Sequence, residues 1–302
     1  GLSAAFYCRK MGYPVTVFEK ESRPGGMLLN GIPSFRLEKN IIDAEIEVLR
    51  QMGVTFKCGV EVGKDVTIQQ LREEGFKAFY VAMGAQGGRK AGVPGEDADG
   101  VKTGVEFLRS VNLDESTKLS GRTVVVGGGN VAMDAARTAL RLGAEVHIVY
   151  RRSEEELPAR VEEVHHAKEE GIIFDLLTNP TEILSDDKGW VTGMKCIRME
   201  LGEPDESGRR RPVEVPGSEF VMELDTVIMS LGTSPNPLIS STTKGLDTNK
   251  WKCIIADENN GKTTKEGVYA GGDAVTGAAT VILAMGAGKA AAKGIDEYLS
   301  TK

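Results

Sequence analysis

The segment that most constrains the fold of this chain is a short β-branched stretch followed by a glycine-rich turn. Residues 123–126 favour a strand, residues 127–132 read G-x-G-x-x-A, and an alanine-rich stretch typical of a helix comes next. In such a unit Gly127 permits the tight turn, Gly129 lets backbone approach a phosphate, and Ala132 allows close helix–strand packing. The helix amides then face the anion. The segment therefore predicts a dinucleotide pyrophosphate site, the alternative being a plain tight turn.

The chain repeats part of this unit without a gap. Residues 1–12 match residues 132–143, and residues 15–19 match residues 146–150. Both copies read as a helix, a glycine stop and an apolar strand. Gly1 corresponds to the last small residue of the motif, so the strand and the first two glycines of that copy are not in this sequence. We therefore expect the chain to be a fragment of a longer protein.

The two copies differ at the end of the strand, where a dinucleotide ribose is recognised. The first copy ends in Glu19, and a carboxylate there accepts hydrogen bonds from an adenosine ribose. The second has Arg151 and Arg152 next to that position, and guanidinium groups suit a ribose 2′-phosphate. We expect two dinucleotides, one of them phosphorylated. Two alternatives remain open: Glu19 as a surface carboxylate, and the arginines paired with the acidic residues 154–156.

Composition excludes several classes of function. The length of 302 residues permits about two domains, and the net charge of −7 argues against a nucleic-acid surface. The four cysteines contain no C-x-x-C pair, so neither a metal site, nor a disulfide framework, nor a dithiol centre is expected. No apolar stretch approaches the roughly 20 residues of a membrane span, and no secretory signal opens the sequence. We expect a cytoplasmic protein with reduced thiols.

The pattern along the chain predicts an α/β fold with two Rossmann-like dinucleotide-binding domains. We expect the domain of the first copy to comprise residues 1–118 and 236–302, and the domain of the second copy, residues 119–235, to be inserted in it. Residues 113–121 are expected to form a polar linker. A hairpin is predicted around residues 186–189, an exposed hairpin loop at 203–211, an extended or paired stretch at 54–62, and a helix over 278–289.

Several motifs resemble the glutamate synthase small-subunit family, and the resemblance covers essentially the whole chain. They are R-P-G-G at 23–26, G-I-P-x-F-R-L at 31–37, the glycine motif with residues 130–134, Y-R-R at 150–152, E-L-P-A-R-V-E-E-V at 156–164, M-S-L-G at 229–232 and G-G-D at 271–273. The family includes the large subunit of ferredoxin-dependent NADPH transhydrogenases and the flavin–NADPH portion of dihydropyrimidine dehydrogenase.

The resemblance implies a glutathione-reductase-like flavoprotein that takes hydride from NADPH onto FAD, with no side chain acting as acid or base. It makes residues 1–118 and 236–302 the FAD-binding domain and residues 119–235 the NADPH-binding domain. Electrons then leave through iron–sulfur clusters to a large subunit or another iron–sulfur acceptor. Those clusters belong to an N-terminal cysteine-rich domain that is not in this sequence. The implied partners are NADPH and such an acceptor, with no nucleic acid and no membrane.

The resemblance also assigns residues to the two cofactors. For FAD it implies the adenosine ribose at Glu19, the flavin side at Gly26 and Leu28, the diphosphate or ribityl region at Arg36, the ribityl chain at Asp273, and the pyrimidine end of the isoalloxazine at Thr280 and Val281. For NADPH it implies Gly127, Gly128, Gly129, Asn130, Val131, Arg151, Arg152 and Arg160, with Gly232 where nicotinamide passes toward the flavin. Further cofactor contacts are expected at Gly1, Lys20, Gly84 and Gly272. Asp273 is also a candidate helix N-cap.

Three functions therefore compete. The first is the NADPH-dependent electron-input module of a glutamate synthase. The second is the transhydrogenase-type relative, which the same sequence fits nearly as well. The third is a flavin-free nucleotide-binding module, which would lack the colour of a flavoprotein.

Overall fold

The computed structural model describes residues 1–114 and 116–302, which form two compact units. Unit 1 consists of Gly1–Asn30, Ser34–Gly87 and Thr233–Lys302. Unit 2 consists of Gly31–Pro33 and Gly88–Gly232. Unit 1 is thus built from both ends of the chain and unit 2 mainly from its middle, which is the inserted arrangement expected from the sequence.

The strands are short in unit 1 and longer in unit 2. In chain order they are β1 (Thr16–Glu19), β2 (Thr55–Cys58), β3 (Phe79–Val81), β4 (Gly87–Gly88), β5 (Val101–Thr103), β6 (Arg122–Val126), β7 (Glu145–Tyr150), β8 (Ile173–Leu176), β9 (Thr178–Ser185), β10 (Val191–Pro204), β11 (Arg210–Glu214), β12 (Phe220–Glu223), β13 (Thr226–Met229), β14 (Thr233–Ser234) and β15 (Val268–Ala270).

The helices include the two that follow the predicted glycine motifs. They are α1 (Leu2–Lys10), α2 (Met27–Asn30), α3 (Lys39–Gln51), α4 (Ile68–Glu73), α5 (Gly104–Leu113), α6 (Asn130–Arg141), α7 (Val161–Glu169), α8 (Leu238–Thr242), α9 (Asp273–Thr276) and α10 (Val281–Ser300), with a 3₁₀ turn at Glu154–Glu156. None of the helices in the described part of the chain is long and apolar enough to cross a membrane. Within the same residues, no group of three or more His, Cys, Asp or Glu side chains is placed to hold a metal ion.

Unit 2 is built on a parallel sheet with the strand order β5-β13-β6-β7-β8. The central strand β6 pairs in parallel with β13 on one side and β7 on the other. Its residues Val124 and Val125 are fully buried, as expected for a strand covered on both faces. The alanine face of α6 packs against one side of the sheet and is also buried, so small side chains bring helix and strand close together. This packing fixes the glycine turn that joins β6 to α6.

Unit 2 also contains an antiparallel sheet in which β10 is the central strand. It pairs with β9, β11 and β12. The predicted hairpin around residues 186–189 is the β9–β10 connection, where Asp186 N–H donates to the Trp190 carbonyl at 2.9 Å. The predicted polar excursion at 203–211 is the end of the β10–β11 hairpin.

Unit 1 contains two parallel strand pairs among its described residues, β1 with β2 and β3 with β15. The internal repeat appears directly in the structure: α1 and β1 of unit 1 occupy the sequence positions that align with the end of α6 and of β7 in unit 2. The glycines between helix and strand, Gly12 and Gly143, have φ of 99° and 105°. Both turns need a left-handed residue, which is why both carry glycine.

The boundary predicted at residue 118 differs from the structure. Residues 88–114 belong to unit 2, because β5 pairs with β13 and α5 packs on the same core through Phe107 and Leu108. The glycine- and proline-rich composition of residues 87–104 hid this short edge strand. Residue 115 of the predicted linker at 113–121 lies outside the described residues.

Two predicted elements have different bounds. In the stretch 54–62 only Thr55–Cys58 forms a strand. The helix predicted over 278–289 starts at Val281, after the N-cap residue Thr280, and continues to Ser300. The small residues before Thr280 belong instead to the turn that follows the short helix α9.

A partly buried ion-pair cluster joins α6 to the residue that follows α7. Glu170 accepts hydrogen bonds from Arg141 at 2.6 Å and Arg137 at 2.7 Å. The Arg141 hydrogen bond, followed by that of Arg137, lowers the pKa of Glu170 from 4.5 to about 2. A depressed folded-state pKa contributes stability above the unfolded pKa and loses it as the pH falls toward 2.

We expect Glu170→Gln to lower the free energy of unfolding by about 1 kcal/mol at neutral pH and to remove part of the acid sensitivity between about pH 5 and 2. Urea unfolding at several pH values measures this. Glu169→Gln, an exposed neighbour in α7, is the matched control. Equal effects of the two variants at every pH would contradict the assignment.

Candidate functional site

A cavity of about 570 Å³ opens in unit 2 where strands β6, β7 and β13 end. Its floor is Gly127, Gly128 and Gly129, and its walls come from the segments that follow β7 and β13. The carboxyl ends of parallel strands are where α/β folds bind ligands. The glycine motif predicted from sequence therefore lies at a concave site large enough for part of a dinucleotide.

Gly127 and Gly128 are required by the packing of the protein itself. Gly127 has φ of +141°, and a Cβ placed on it would lie 2.3 Å from the Ser230 carbonyl oxygen. A Cβ on Gly128 would lie 2.7 Å from Leu157 and 2.8 Å from the Tyr150 ring. These two glycines let the turn fit between the ends of β7 and β13.

Gly129 differs from these two glycines, because no contact within the protein requires a glycine at its position. Its φ of −90° suits any residue, and a Cβ there would meet nothing closer than Pro158 at 4.0 Å. It is the N-cap of α6, so the first amides of that helix point past it. The open space beside Gly129 is what a pyrophosphate needs in order to approach the helix N-terminus. The cradle therefore fits a dinucleotide.

Asn130, Val131 and Arg160 lie next to this turn but outside the cavity lining. The Asn130 side-chain oxygen accepts a hydrogen bond from Arg160 N–H at 3.0 Å. Ala159 N–H donates to the Gly128 carbonyl at 3.1 Å. These contacts tie the segment before α7 to the glycine turn, so Asn130 has a structural role in addition to the predicted one.

The two arginines after β7 have different environments. Arg151 is exposed and lines the cavity. Arg152 also lines the cavity, but its side chain is buried, with only 7% exposed. Its guanidinium donates to Asp205 at 2.6 Å and to the Arg210 carbonyl at 2.7 Å. Neither forms the predicted alternative pair with residues 154–156, and phosphate binding by both remains a prediction.

Two further cations line the same cavity and were not identified from sequence. They are Lys90, which follows β4, and Arg209, from the β10–β11 hairpin. Among the described lining residues the side chains that carry a charge at neutral pH are Lys90, Arg151, Arg152 and Arg209, all of them cationic. A cavity with this lining favours an anion. Arg209 lies 58 residues beyond Arg151, so no local motif could have indicated it.

Gly232 also lines the cavity, just beyond β13. Its φ is +96°, and its carbonyl accepts a hydrogen bond from Arg89 N–H at 3.0 Å. Ser230, two residues earlier, is buried, and its hydroxyl has no partner among the described residues.

In unit 1 the structure places two half-buried carboxylates at predicted FAD positions. Glu19 accepts a hydrogen bond from Glu21 N–H at 2.9 Å, and Asp273 accepts one from Ala279 N–H at 3.1 Å. Burial raises the pKa of both carboxyls, and those amide hydrogen bonds oppose the rise. Carboxylates desolvated in this way suit the hydroxyl donors of a ribose or ribityl chain. Asp273 does not cap α9, because Gly272 holds that position with φ of 66°.

The structure brings two predicted glycines of unit 1 together. Both Gly26 and Gly84 have left-handed backbone, and Cβ atoms on them would meet only Gln86 Nε2, at 3.8 and 3.9 Å. Gly1 lies close to the same segment, since its Cβ would be 3.1 Å from Ala82. Gln86 is a residue that sequence reasoning missed. The open space at these glycines fits the approach of a flat ring.

The remaining predicted residues of unit 1 have these positions. Leu28 lies in α2, with its carbonyl bound by Lys39 at 3.0 Å. Arg36 lies with its guanidinium 5.9 Å from the Phe35 ring centre, and exposed Lys20 is 3.8 Å from Glu21. Thr280 caps α10 by accepting from Leu283 N–H at 3.5 Å, and Val281 begins that helix with 45% of its surface exposed.

Two units with the same helix–turn–strand repeat, one carrying a cationic cavity at a glycine turn, define the class of two-dinucleotide oxidoreductases. A family profile described as pyridine nucleotide-disulphide oxidoreductase matches residues 1–288. The chain belongs to the pyridine nucleotide-disulphide oxidoreductase family. This result confirms the predicted fold class, the enzyme class, and FAD and NADP(H) as the cofactors of its family.

Curated relatives include three with different activities. They are the NADP(+)-dependent formate dehydrogenase subunit beta of Moorella thermoacetica (47% identity over 99% of this chain and 42% of the relative), the NADPH-Fe(3+) oxidoreductase subunit beta of Geobacter sulfurreducens (40%, 99% and 48%) and the glutamate synthase [NADPH] small chain of Halomonas elongata (39%, 99% and 66%). The predicted resemblance to glutamate synthase small subunits is confirmed. The chain spans about half the length of the first two.

Solved structures show the same fold at low identity. FprA of Mycobacterium tuberculosis, in a complex with NADPH, superposes with a TM-score of 0.82 at 22% identity, covering 99% of this chain and 82% of FprA. Thioredoxin reductase of T. acidophilum gives 0.73 at 22% identity, covering 100% and 95%. At this identity the match shows the two-domain fold alone.

Proposed function

We propose that this chain takes hydride from NADPH onto FAD and is the electron-input part of a larger oxidoreductase. The observation that carries the proposal is the unit 2 cavity. It is lined by Gly129, at the N-terminus of α6, and by four cationic side chains, Lys90, Arg151, Arg152 and Arg209. Relatives named as NADPH-dependent enzymes and as β subunits support it.

The residues of unit 2 would bind and orient NADPH. The backbone at Gly129 leaves room for the pyrophosphate beside the first amides of α6. Arg151, exposed at the end of β7, would form charge-assisted hydrogen bonds with the ribose 2′-phosphate. Gly232, at the end of β13, leaves the cavity wall without a side chain. The protein thus supplies position and electrostatics rather than an acid or base.

The residues of unit 1 would hold FAD. Glu19 would accept from the adenosine ribose and Asp273 from the ribityl chain, while Gly26 and Gly84 leave space for the ring. When bound, FAD supplies the hydride acceptor and releases electrons onward one at a time. The half-buried carboxylates would accept hydrogen bonds from these hydroxyl groups.

The finer parts of the proposal concern the acceptor and the location. A partner subunit or iron–sulfur acceptor would receive the electrons, and this fits the subunit names of the relatives. Glutamate biosynthesis is one such destination, and the transhydrogenase-type module is a second. A cytoplasmic location is consistent with four cysteines that are all free.

The first test is a visible spectrum of the chain purified with added FAD, recorded before and after anaerobic NADPH. We expect a yellow protein whose flavin absorbance is bleached by NADPH more effectively than by NADH. A colourless protein that still binds NADP+ would support the flavin-free module instead. Flavin that is bound but not reduced by NADPH would overturn the proposal.

Arg151→Ala is expected to weaken NADPH binding about tenfold and leave NADH binding unchanged, because only NADPH carries the 2′-phosphate. The NADPH concentration giving half-maximal bleaching measures the effect. Lys188→Ala, in the exposed β9–β10 turn, is the matched control. Loss of NADPH and NADH binding by the same factor would contradict this role of Arg151.

A further inference from the structure

The β10–β11 hairpin is tied to the loop that follows β7. Arg152 donates to Asp205 at 2.6 Å and to the Arg210 carbonyl at 2.7 Å. In return, the Arg210 guanidinium donates to Glu156 at 2.5 Å and to Glu155 at 2.7 Å. Residues more than fifty positions apart are thus held together by charge-assisted hydrogen bonds. The loop carrying Arg151 and the tip of the hairpin form one assembly within unit 2.

Asp205 also fixes the turn of the hairpin. Its Oδ1 accepts from Ser207 N–H at 2.8 Å and from Arg209 N–H at 3.3 Å, and its own N–H donates to the Arg209 carbonyl at 2.7 Å. Its Oδ2 is the atom that binds Arg152. One carboxylate therefore holds the backbone of Arg209 on one side and the buried Arg152 on the other.

The Arg209 side chain is half-buried and lines the same cavity as Arg151. Its Nε donates to Ser207 Oγ at 3.0 Å, a neutral partner that leaves its charge uncompensated by that contact. The neighbouring arginines differ. The guanidinium of Arg210 is paired with Glu155 and Glu156, and Arg211 is exposed outside the cavity lining.

We propose that Arg209 is a specificity-determining residue that contacts the 2′-phosphate of NADP(H), with Asp205 and Arg152 as the positioning pair that holds it there. The proposal rests on the proposed function, since it needs NADP(H) in this cavity. Arg151 comes from the strand end and Arg209 from the hairpin. Arg152 connects these two segments, because two of its three guanidinium nitrogens donate hydrogen bonds to the hairpin.

The test is calorimetric titration of NADP+ and NAD+ into the chain and its variants, which requires no turnover. We expect Arg209→Ala to lower NADP+ affinity about tenfold while NAD+ affinity changes less than about twofold. Arg209→Lys should retain part of the NADP+ affinity because it keeps the charge without the planar fork. Arg211→Ala, two residues along the same hairpin, should change neither.

Asp205→Asn tests the positioning role through the ratio of NADP+ to NAD+ affinity. We expect that ratio to fall even though Asp205 lies outside the cavity lining. An Arg209→Ala variant that behaves like Arg211→Ala, or that loses NADP+ and NAD+ affinity equally, overturns the inference. Failure of the unmodified chain to prefer NADP+ over NAD+ would instead overturn the proposed function, so the two failures are distinguishable.

Discussion

Gly129→Ala is expected to weaken NADP+ binding about a hundredfold, with NAD+ affected to the same degree. The added Cβ meets no protein atom closer than 4.0 Å, so it would project into the space that the pyrophosphate needs. Keeping the pyrophosphate away from the amides of α6 loses charge-assisted hydrogen bonds, and each factor of ten corresponds to about 1.4 kcal/mol. Calorimetric titration with both nucleotides measures the loss.

The companion variant separates binding from stability. Gly129 is the N-cap of α6, where alanine is unfavourable and costs about 1 kcal/mol. Serine is a good N-cap, so Gly129→Ser should keep the melting temperature of the unmodified chain and still lose nucleotide binding. Normal NADP+ affinity in Gly129→Ser would show that the pyrophosphate does not approach this glycine.

Gly127→Ala is expected to destabilise the protein by at least about 3 kcal/mol. Its φ of +141° is unfavourable for alanine, and its Cβ would lie 2.3 Å from the Ser230 carbonyl oxygen. That carbonyl cannot move freely, because Ser230 N–H is bound to the Val126 carbonyl at 2.8 Å. The strand ends must separate to admit the methyl group. Urea unfolding followed by circular dichroism measures the change.

Gly189→Ala is the matched control for this clash. Gly189 has a φ of +86° in the β9–β10 turn, and a Cβ there meets nothing within 4 Å. It should cost only the conformational strain of about 1–2 kcal/mol. If Gly127→Ala were no more destabilising than Gly189→Ala, the packing explanation for Gly127 would be wrong.

Local patterns in the sequence predicted the parts of the fold that local chemistry determines. The glycine turn at residues 127–129 and the repeat of helix, glycine and strand follow from backbone requirements that each copy satisfies independently. The class of protein followed from the same repeat. These features depend on neighbours in the chain, and they are therefore visible without a structure.

Features that depend on distant contacts were missed or placed wrongly. The strand Val101–Thr103 is three residues long in a glycine-rich region, and only its pairing with β13 assigns it to unit 2. The hydrogen bond from the Arg152 guanidinium to Asp205, which lies 53 residues away, is not indicated by any local pattern. Arg209 reaches the cavity through a hairpin whose length and register no local motif encodes. Such assignments depend on tertiary packing.

The shared carboxylate of Asp205 has a consequence for redesign of nucleotide preference. Replacing Arg151 and Arg152 alone by the acidic strand end of the first copy would leave Asp205 without its Arg152 partner and beside a new negative charge. The repulsion would loosen the hairpin as well as remove the phosphate ligand. A change of coenzyme in this scaffold therefore has to be made as a graft of two segments, the strand end at 150–156 together with the hairpin tip at 203–211.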